Sequence, residues 1–503
     1  MNKKGRLVDM KRLIVIVFII FGAFLTFSLY RTLAYDTSVV EEVPSTTDLE
    51  YTFKIGNSSI KQITVDSGET RYYDIVLGNP NNAKISYSVY YEMVSPSTKP
   101  DGFSIGYTSK STGNSTGIVN NNGNITLNIV VTNTSSSAVT VKIGTVAGYV
   151  NGGELTLGSG QVIIPKSPAN VVEALDDGTT GDSGSGVYKV THNAITASSS
   201  ATGSEIPAVT DYRYYGANPN NYICLDMEGG STCPDKHLYR IIGSIYEEKE
   251  NTNRIKVIKA TPLTDGTTNG FSWDYKVNNG SRSNDNIWAT IASGNYSNSL
   301  TSGSQLMKLL NSGLWWNGTS GSYYNNSTTA TNVNFTNYKL SDKAKSYITT
   351  SRYYLGGYNN NNDNYPQLTN EMYGYERGTL RYNTDRPLYW EGMVGLMYLS
   401  DYGYAAGNTC VTGTKLYNYD GGCKNKDWLR MTTSSNYTYG HEWLMSLSSA
   451  YSDGVFGVYS SGNVRFSYHS SDGSLVRPVF YLNSSASISE GDGTLNAPYI
   501  LSD

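Results

Sequence analysis

The longest regular pattern in the chain is an alternation of hydrophobic and polar positions that begins after residue 50. Five segments alternate or cluster β-branched and aromatic residues, with turn-forming Asn, Gly, Pro and Ser between them. Several short strands at this spacing are typical of an immunoglobulin-like sandwich. We therefore predict a β-sandwich domain over residues 51–166. Its predicted strands are 51–55, 70–77, 84–93, 123–132 and 139–149.

Two stretches of low complexity follow. Residues 173–187 (EALDDGTTGDSGSGV) are rich in Gly, Ser and Asp, and residues 194–204 are mainly Ser, Thr and Ala. Such a composition buries too little apolar surface to order a chain, so we predict a disordered linker over 167–210. Its aspartates lack the glycine and closing glutamate of an EF-hand loop, which disfavours calcium at Asp176, Asp177 and Asp182.

Residues 211–503 are predicted as one large α+β domain. Ser304 would cap a helix with an apolar stripe that ends at Gly313, and Ser341 or Asp342 would cap a second. Short apolar runs predict strands around these helices, and long polar loops separate them. The longest loops are 315–331 and 353–364. The predicted strands are 238–246, 254–260, 394–399, 454–460, 464–468, 477–482 and 499–501.

The most apolar segment lies near the N-terminus. Residues 13–30 hold 18 positions without a charge, and a helix of that length spans about 27 Å, close to the roughly 30 Å core of a bilayer. Basic residues precede it and acidic ones follow, so the positive-inside rule places the N-terminus in the cytoplasm. The alternative is a signal peptide cleaved near Thr32-Leu33-Ala34, but the length favours a retained anchor. We predict a tail (1–12), a transmembrane signal-anchor (13–34) and an extracellular stalk (35–50).

Composition excludes one class of partner. The chain has 503 residues, of which 16% are charged, and a formal net charge of -4. Without a basic excess there is no electrostatic footprint for a nucleic acid. Tyr is abundant at 43 residues while Phe numbers only 11, which favours strands and polar loops over a helical bundle.

The four cysteines fit an exported chain. None forms a C-x-x-C, and the two pairs that are near in sequence each enclose Gly- or Asp-rich loops. We predict two disulfides, Cys224 with Cys233 and Cys410 with Cys423. A zinc site would need C-x₂₋₄-C spacing, which is absent, and free thiols are the plainer alternative.

Candidate catalytic chemistry is sparse. The histidines show no H-E-x-x-H or H-x-H spacing, so we expect no metal site and no cofactor. They are His192, His237, His441 and His469. Asp385, Glu391 and Asp401 lie near Trp390 and could form the carboxylate pair of a glycoside hydrolase, but a chain of this length offers such trios by chance.

Aromatic residues among Asn, Gly and Ser suggest a binding surface. Tyr and Trp give rigid contact area with a hydrogen-bonding tip, which suits sugar rings or protein surfaces. Because a run of Asn adjoins residues 353–358, exposure is expected there, whereas Trp315 and Trp316 fit the core equally well. The predicted ligand-binding residues are Tyr323, Tyr324, Tyr353, Tyr354, Tyr358, Tyr389 and Trp390.

Several segments resemble a family of uncharacterised surface proteins from low-GC Gram-positive gut bacteria. They occur in family order across nearly all of 212–503. They are NYIC (221–224), CPDKHLYRIIGS (233–244), IKVIKA (255–260), GLMYLSDYGYAA (395–406), RPVFYLN (477–483) and GDGTLNAPYI (491–500). The resemblance implies a C-type-lectin-like fold of the formylglycine-generating-enzyme branch. That branch uses a closely placed reactive cysteine pair, which the cysteines here do not match, so no catalytic residue carries over.

Together these features predict a membrane-anchored bacterial cell-surface protein. The anchor at 13–34 would hold a lectin-like domain outside the cell, where it would contact a glycan or protein on a host or neighbouring cell without catalysis. Two alternatives remain: an envelope-acting hydrolase with its carboxylates in 385–401, and a structural component of a surface layer.

Overall fold

The computed structural model describes most of the chain beyond residue 51. The predicted tail, anchor and stalk lie outside the described residues. Within the described part, no helix is long and apolar enough to cross a bilayer. Strands account for 40% and helices for 13% of the structure, so the predicted predominance of β-structure is confirmed. The described residues are 52–55, 62–100, 103–107, 111–133, 135–150, 155–165, 168–173, 175–176, 178–278, 281–283, 285–325, 329–359, 368–419, 421–431, 441–467, 473–483 and 486–502.

The first nine strands form two antiparallel sheets. One sheet has the strand order β1–β3–β7–β5, and the other has the order β2–β8–β4–β6 with β9 beside β4. The strands are β1 (Thr52–Ile55), β2 (Gln62–Val65), β3 (Glu69–Gly78), β4 (Ile85–Ser95), β5 (Phe103–Tyr107), β6 (Thr116–Val119), β7 (Asn124–Asn133), β8 (Val139–Tyr149) and β9 (Gln161–Ile163).

Alternation places one face of each sheet inside. In β7, Leu127, Ile129 and Val131 are fully buried, whereas the residues between them are only partly buried. They share one hydrophobic cluster with Val141 and Ile143 of β8, from the other sheet. Each such side chain contributes about 1.5–3 kcal/mol when it leaves water. Two antiparallel sheets around one core form a β-sandwich.

The chain beyond β9 contains many short strands and short helices. The strands are β10 (Gly186–His192), β11 (Val209–Tyr215), β12 (Tyr222–Cys224), β13 (Leu238–Glu247), β14 (Thr252–Lys259), β15 (Phe271–Ser272), β16 (Lys276–Asn278), β17 (Ser281–Ser283), β18 (Tyr296–Ser297), β19 (Ser320–Tyr323), β20 (Thr331–Asn334), β21 (Ile348–Thr349), β22 (Ser351–Tyr354), β23 (Gly357–Tyr358), β24 (Tyr389–Gly392), β25 (His441–Ser448), β26 (Val455–Tyr459), β27 (Val464–Ser467), β28 (Gly473–Ser474), β29 (Val479–Leu482), β30 (Ser487–Glu490) and β31 (Tyr499–Ser502). The helices are α1 (Pro168–Glu173), α2 (Gln305–Asn311), α3 (Leu314–Asn317), α4 (Asp342–Ser346), α5 (Thr369–Glu376), α6 (Leu399–Tyr404), α7 (Asn408–Gly413) and α8 (Gly421–Lys424), with 3-10 turns at Asp235–His237 and Leu416–Asn418.

A nine-stranded sheet organises this part of the chain. Its order is β21–β29–β14–β13–β12–β31–β30, and β11 pairs with both β13 and β10. The central strand β13 is buried along almost its whole length, which shows that both of its faces are covered. Two smaller sheets have the orders β18–β24–β22 and β23–β25–β26–β27, and β15–β28, β16–β17 and β19–β20 form two-stranded sheets.

Both predicted helix caps are confirmed. The Ser304 hydroxyl accepts a hydrogen bond from the Met307 amide at 3.1 Å at the start of α2. The Ser341 hydroxyl accepts one from the Ala344 amide, also at 3.1 Å, at the start of α4. Each bond satisfies an amide that the first helical turn leaves unpaired.

The predicted disordered linker over 167–210 needs correction. Strand β10 pairs with β11 along its full length, and its Val187, Tyr188 and His192 are buried. The sequence VYKVTH lies between two low-complexity runs, and the composition of those runs led to the prediction of a linker. Its own β-branched and aromatic residues are typical of a strand. The second core therefore begins near α1, where Val172 is fully buried, well before the predicted boundary at residue 211.

Candidate functional site

The structure does not expose the predicted aromatic surface. Tyr353 and Trp390 are 0% exposed, and Tyr323, Tyr354 and Tyr358 are also buried. Tyr324 and Tyr389 are partly buried. The prediction that residues 353–358 lie exposed beside a run of Asn is therefore wrong.

Pairing between β22 and β24 explains this burial. Tyr353 and Trp390 are opposite each other in the two strands, with ring centroids 5.4 Å apart. Their polar tips bond to backbone carbonyls: the Tyr353 hydroxyl donates to Met393 at 3.1 Å, and the Trp390 indole N–H donates to Ser299 at 2.9 Å. In a chain with few Phe, Tyr and Trp fill the core in this way. Trp315 is likewise buried, while Trp316 packs only partly against the core.

The three candidate carboxylates of a hydrolase lie in different environments. Asp385 lies in an exposed loop. Glu391 forms an ion pair with Arg352, with Nη2 2.7 Å from Oε1. Asp401 is buried and already bonded on both oxygens, so it is not available as the acid or the base of a hydrolase.

Asp401 belongs to a buried network of charges. The Lys256 ammonium donates to its Oδ2 at 2.5 Å, and Arg213 Nη1 donates to its Oδ1 at 2.9 Å. Burial opposes ionisation of Asp401, but Lys256 and Arg213 outweigh it and hold its pKa below the ordinary value. Arg213 Nη2 also donates to Asp211 at 2.7 Å, and His192 Nε2 lies 2.8 Å from the same carboxylate. The network joins β10, β11, β14 and α6.

A second buried network surrounds Arg377. Its guanidinium lies 3.6 Å from the Glu376 carboxylate and 3.7 Å from that of Glu248, and it packs over the ring of Tyr373. Glu376 also accepts a hydrogen bond from the Ser400 hydroxyl at 2.6 Å. Because these groups have fixed partners inside the protein, we interpret both networks as structural.

The Arg-Pro segment that carries part of the family resemblance is also structural. Arg477 Nε donates to Glu442 Oε1 at 2.7 Å, and its Nη2 donates to the Leu429 carbonyl at 2.6 Å. Both charged side chains are buried. The arrangement ties the segment just before β29 to β25 and to the backbone at Leu429.

Both predicted disulfides are confirmed. Cys224 bonds to Cys233 and Cys410 to Cys423, with Cα atoms 5.8 Å and 5.6 Å apart. The first bridge closes residues 224–233, here called the Cys224–Cys233 loop, which leaves the central sheet at the end of β12. The second bridge joins α7 to α8.

The Cys224–Cys233 loop brings together three polar groups that sequence spacing does not single out. Asp226 and Glu228 lie in the loop, and His237 ends the 3-10 turn that leads into β13. The Leu225 amide donates to the His237 carbonyl at 3.0 Å, which fixes the turn against the start of the loop. The Glu228 amide donates to Asp226 Oδ1 at 3.0 Å. The sequence feature that could have indicated this group is a D-x-E motif inside a disulfide loop, with a histidine shortly after the loop.

The other two described histidines do not contribute to this group. His192 is buried and stacks on Tyr373, with ring centroids 3.6 Å apart. His441 stacks on Tyr459 in the neighbouring strand. His469 lies outside the described residues. Of the three histidines that the structure describes, His237 is the one that faces two carboxylates.

Comparison with known proteins adds no assignment. No family model, curated protein or solved structure matches the chain.

Proposed function

We propose that the chain is a membrane-anchored cell-surface protein whose β-rich part lies outside the cell. The observation that carries the proposal is the pair of disulfides, because such bonds persist in oxidising compartments and are rare in the cytosol. An uncharged stretch at residues 13–30, after basic residues and before acidic ones, supplies the expected anchor and orientation.

We further propose that the extracellular part serves ligand binding or adhesion. The sandwich would be an immunoglobulin-like spacer, and the α+β part a C-type-lectin-like domain with polar loops. Burial of the predicted aromatic surface moves the expected contact elsewhere. Tyr375 and Tyr382, at 37% and 42% exposure, are large aromatic side chains that do reach the surface near α5. A glycan ring could stack on either of them.

A hydrolase has less support from the geometry. Glu391 and Asp401 each form ion pairs with basic side chains, and Asp401 has no access to solvent. A general acid would need a raised pKa and an open approach for substrate. Asp401 lacks both.

Protease treatment of intact cells tests the location. Trypsin added to intact cells should release peptides from residues 52–502, while a cytoplasmic marker protein stays whole. If these peptides appear only after lysis, the chain is not displayed on the surface and the proposal is wrong. Glycan and protein arrays probed with the full-length chain then test binding. If the chain binds to neither array, the adhesion role is contradicted.

A further inference from the structure

Three side chains with metal-binding atoms converge at the Cys224–Cys233 loop. One ligand atom each from Asp226, Glu228 and His237 lies within 4.8 Å of the others. His237 Nε2 is 3.2 Å from Glu228 Oε1. A tetrahedral zinc ion with bonds of about 2.0–2.2 Å holds its ligand atoms roughly 3.4 Å apart. Because the Glu228 side chain is 38% exposed, small movements can bring the set to that spacing.

The burial of His237 is a second, independent observation. Its side chain is 0% exposed, and among the described residues the hydrogen-bond partner of its ring is Glu228, which lies at Nε2. Burial therefore holds the imidazole in place with Nε2 directed at the Glu228 carboxylate, where it is preorganised for a metal ion bound between the two side chains.

Lys236 already shows that the site attracts a cation. Its ammonium lies 2.8 Å from Glu228 Oε1, on the same oxygen that His237 approaches. The Lys236 side chain is partly exposed, so it can leave without breaking the core. Asp226 is held in place by the Ser341 hydroxyl, which donates to Oδ2 at 2.6 Å. One carboxylate is thus fixed and the other is adjustable.

We propose that Asp226, Glu228 and His237 form a binding site for a divalent transition metal such as zinc. One imidazole and two carboxylates suit a first-row metal better than calcium, which prefers oxygen ligands alone. Three protein ligands leave one coordination position open to solvent on the Glu228 side. The metal would clamp the disulfide loop to the turn that begins β13.

Calorimetric titration with ZnCl₂ tests the site. The full-length chain is purified in detergent with its disulfides intact and without a polyhistidine tag, then stripped with chelator. We expect one zinc ion per chain with a Kd of about 1 μM or tighter. Glu228→Gln should weaken binding by roughly tenfold or more, because it removes a ligand charge at an exposed position. Glu205→Gln, at another exposed carboxylate, is the matched control and should bind like the parent.

A second variant should change the zinc affinity in the opposite direction. Lys236→Met removes the competing ammonium, so it should tighten zinc binding by roughly threefold to tenfold. If the parent chain takes up no stoichiometric zinc, the proposed metal site is wrong and the loop is held by ion pairs only. Unchanged affinity in Glu228→Gln, or CaCl₂ binding as tightly as ZnCl₂, would also contradict it.

Discussion

Asp401 shows how single residues in this protein combine polarity with complete burial. Its carboxylate is removed from water but bonds to Lys256, Arg213 and the Tyr398 amide. Such a pair adds little net stability over an apolar replacement, yet removing one partner leaves an uncompensated charge. The sequence indicated that Asp401 lies in an aromatic neighbourhood, but its two cationic partners come from positions more than a hundred residues earlier. Spacing alone does not reveal contacts of that range.

Lys256→Met should therefore destabilise the fold by about 3–5 kcal/mol, since Asp401 would lose one of its two cationic partners in the interior. Urea unfolding followed by tryptophan fluorescence measures the change. Lys142→Met breaks an exposed pair with Glu92 and should cost only about 0–1 kcal/mol. Equal effects of the two substitutions would mean that the Lys256 pair is not buried as described.

Glu248 gives the fold a dependence on pH. Burial raises its pKa to about 7, although Arg377 and Arg352 partly oppose the shift. A folded pKa above the unfolded value means that the stabilisation is complete at low pH and is lost as pH rises through about 7. Between pH 5 and pH 8, therefore, the urea midpoint of the parent should fall relative to that of Glu248→Gln, which lacks this carboxyl. Equal changes of the midpoint in the two proteins would contradict the assignment.

At the scale of elements, hydrophobic periodicity predicted five of the nine sandwich strands (β1, β3, β4, β7 and β8) and both serine-capped helices, because those patterns are local. It failed for β10, where a seven-residue strand lies between runs of Gly, Ser and Thr. It also failed for Tyr353 and Trp390, which looked like loop aromatics but face each other across β22 and β24. In both cases long-range pairing decides the structure, and neighbouring composition does not report it.

Hydrogen exchange distinguishes strand from linker at β10. Amides of residues 186–192 that bond to β11 should stay protected for minutes or longer, because opening them requires breaking a full antiparallel ladder. Peptides from residues 178–184, which form bends and irregular backbone beside the strand, serve as the internal comparison. Complete exchange of the amides of residues 186–192 within seconds would contradict the strand and support the predicted disordered linker.

At the scale of the whole molecule, the structure shows a β-rich protein with two large hydrophobic cores and two disulfides, and the disulfides support the proposal that the chain is exported. The disulfide pairing followed from sequence because each partner is close and each loop is punctuated by Gly or Asp. The group at Asp226, Glu228 and His237 did not, because the bridge and a 3-10 turn bring it together. The sequence also did not reveal which of the predicted ligand-binding aromatic side chains are exposed, since the fold buries most of them.

Tyr375 and Tyr382 should carry ligand contact if adhesion is the function. Replacing both with Ala should weaken binding to an array-identified glycan by roughly tenfold, with the melting temperature nearly unchanged because both side chains are partly exposed. Tyr72→Ala, at 67% exposure on the sandwich, is the matched control. Loss of binding in Tyr72→Ala but not in the double variant would move the contact to the sandwich.

The redox state of the four cysteines in living cells tests the central claim most directly. Cells are quenched in acid, denatured and treated with a maleimide-linked polymer, and the chain is then sized by immunoblot with and without prior reduction. An exported chain should take up no polymer before reduction and four afterwards, since Cys224, Cys233, Cys410 and Cys423 are all paired. Attachment of four polymer molecules to the chain without prior reduction would place the protein in a reducing compartment and contradict the account.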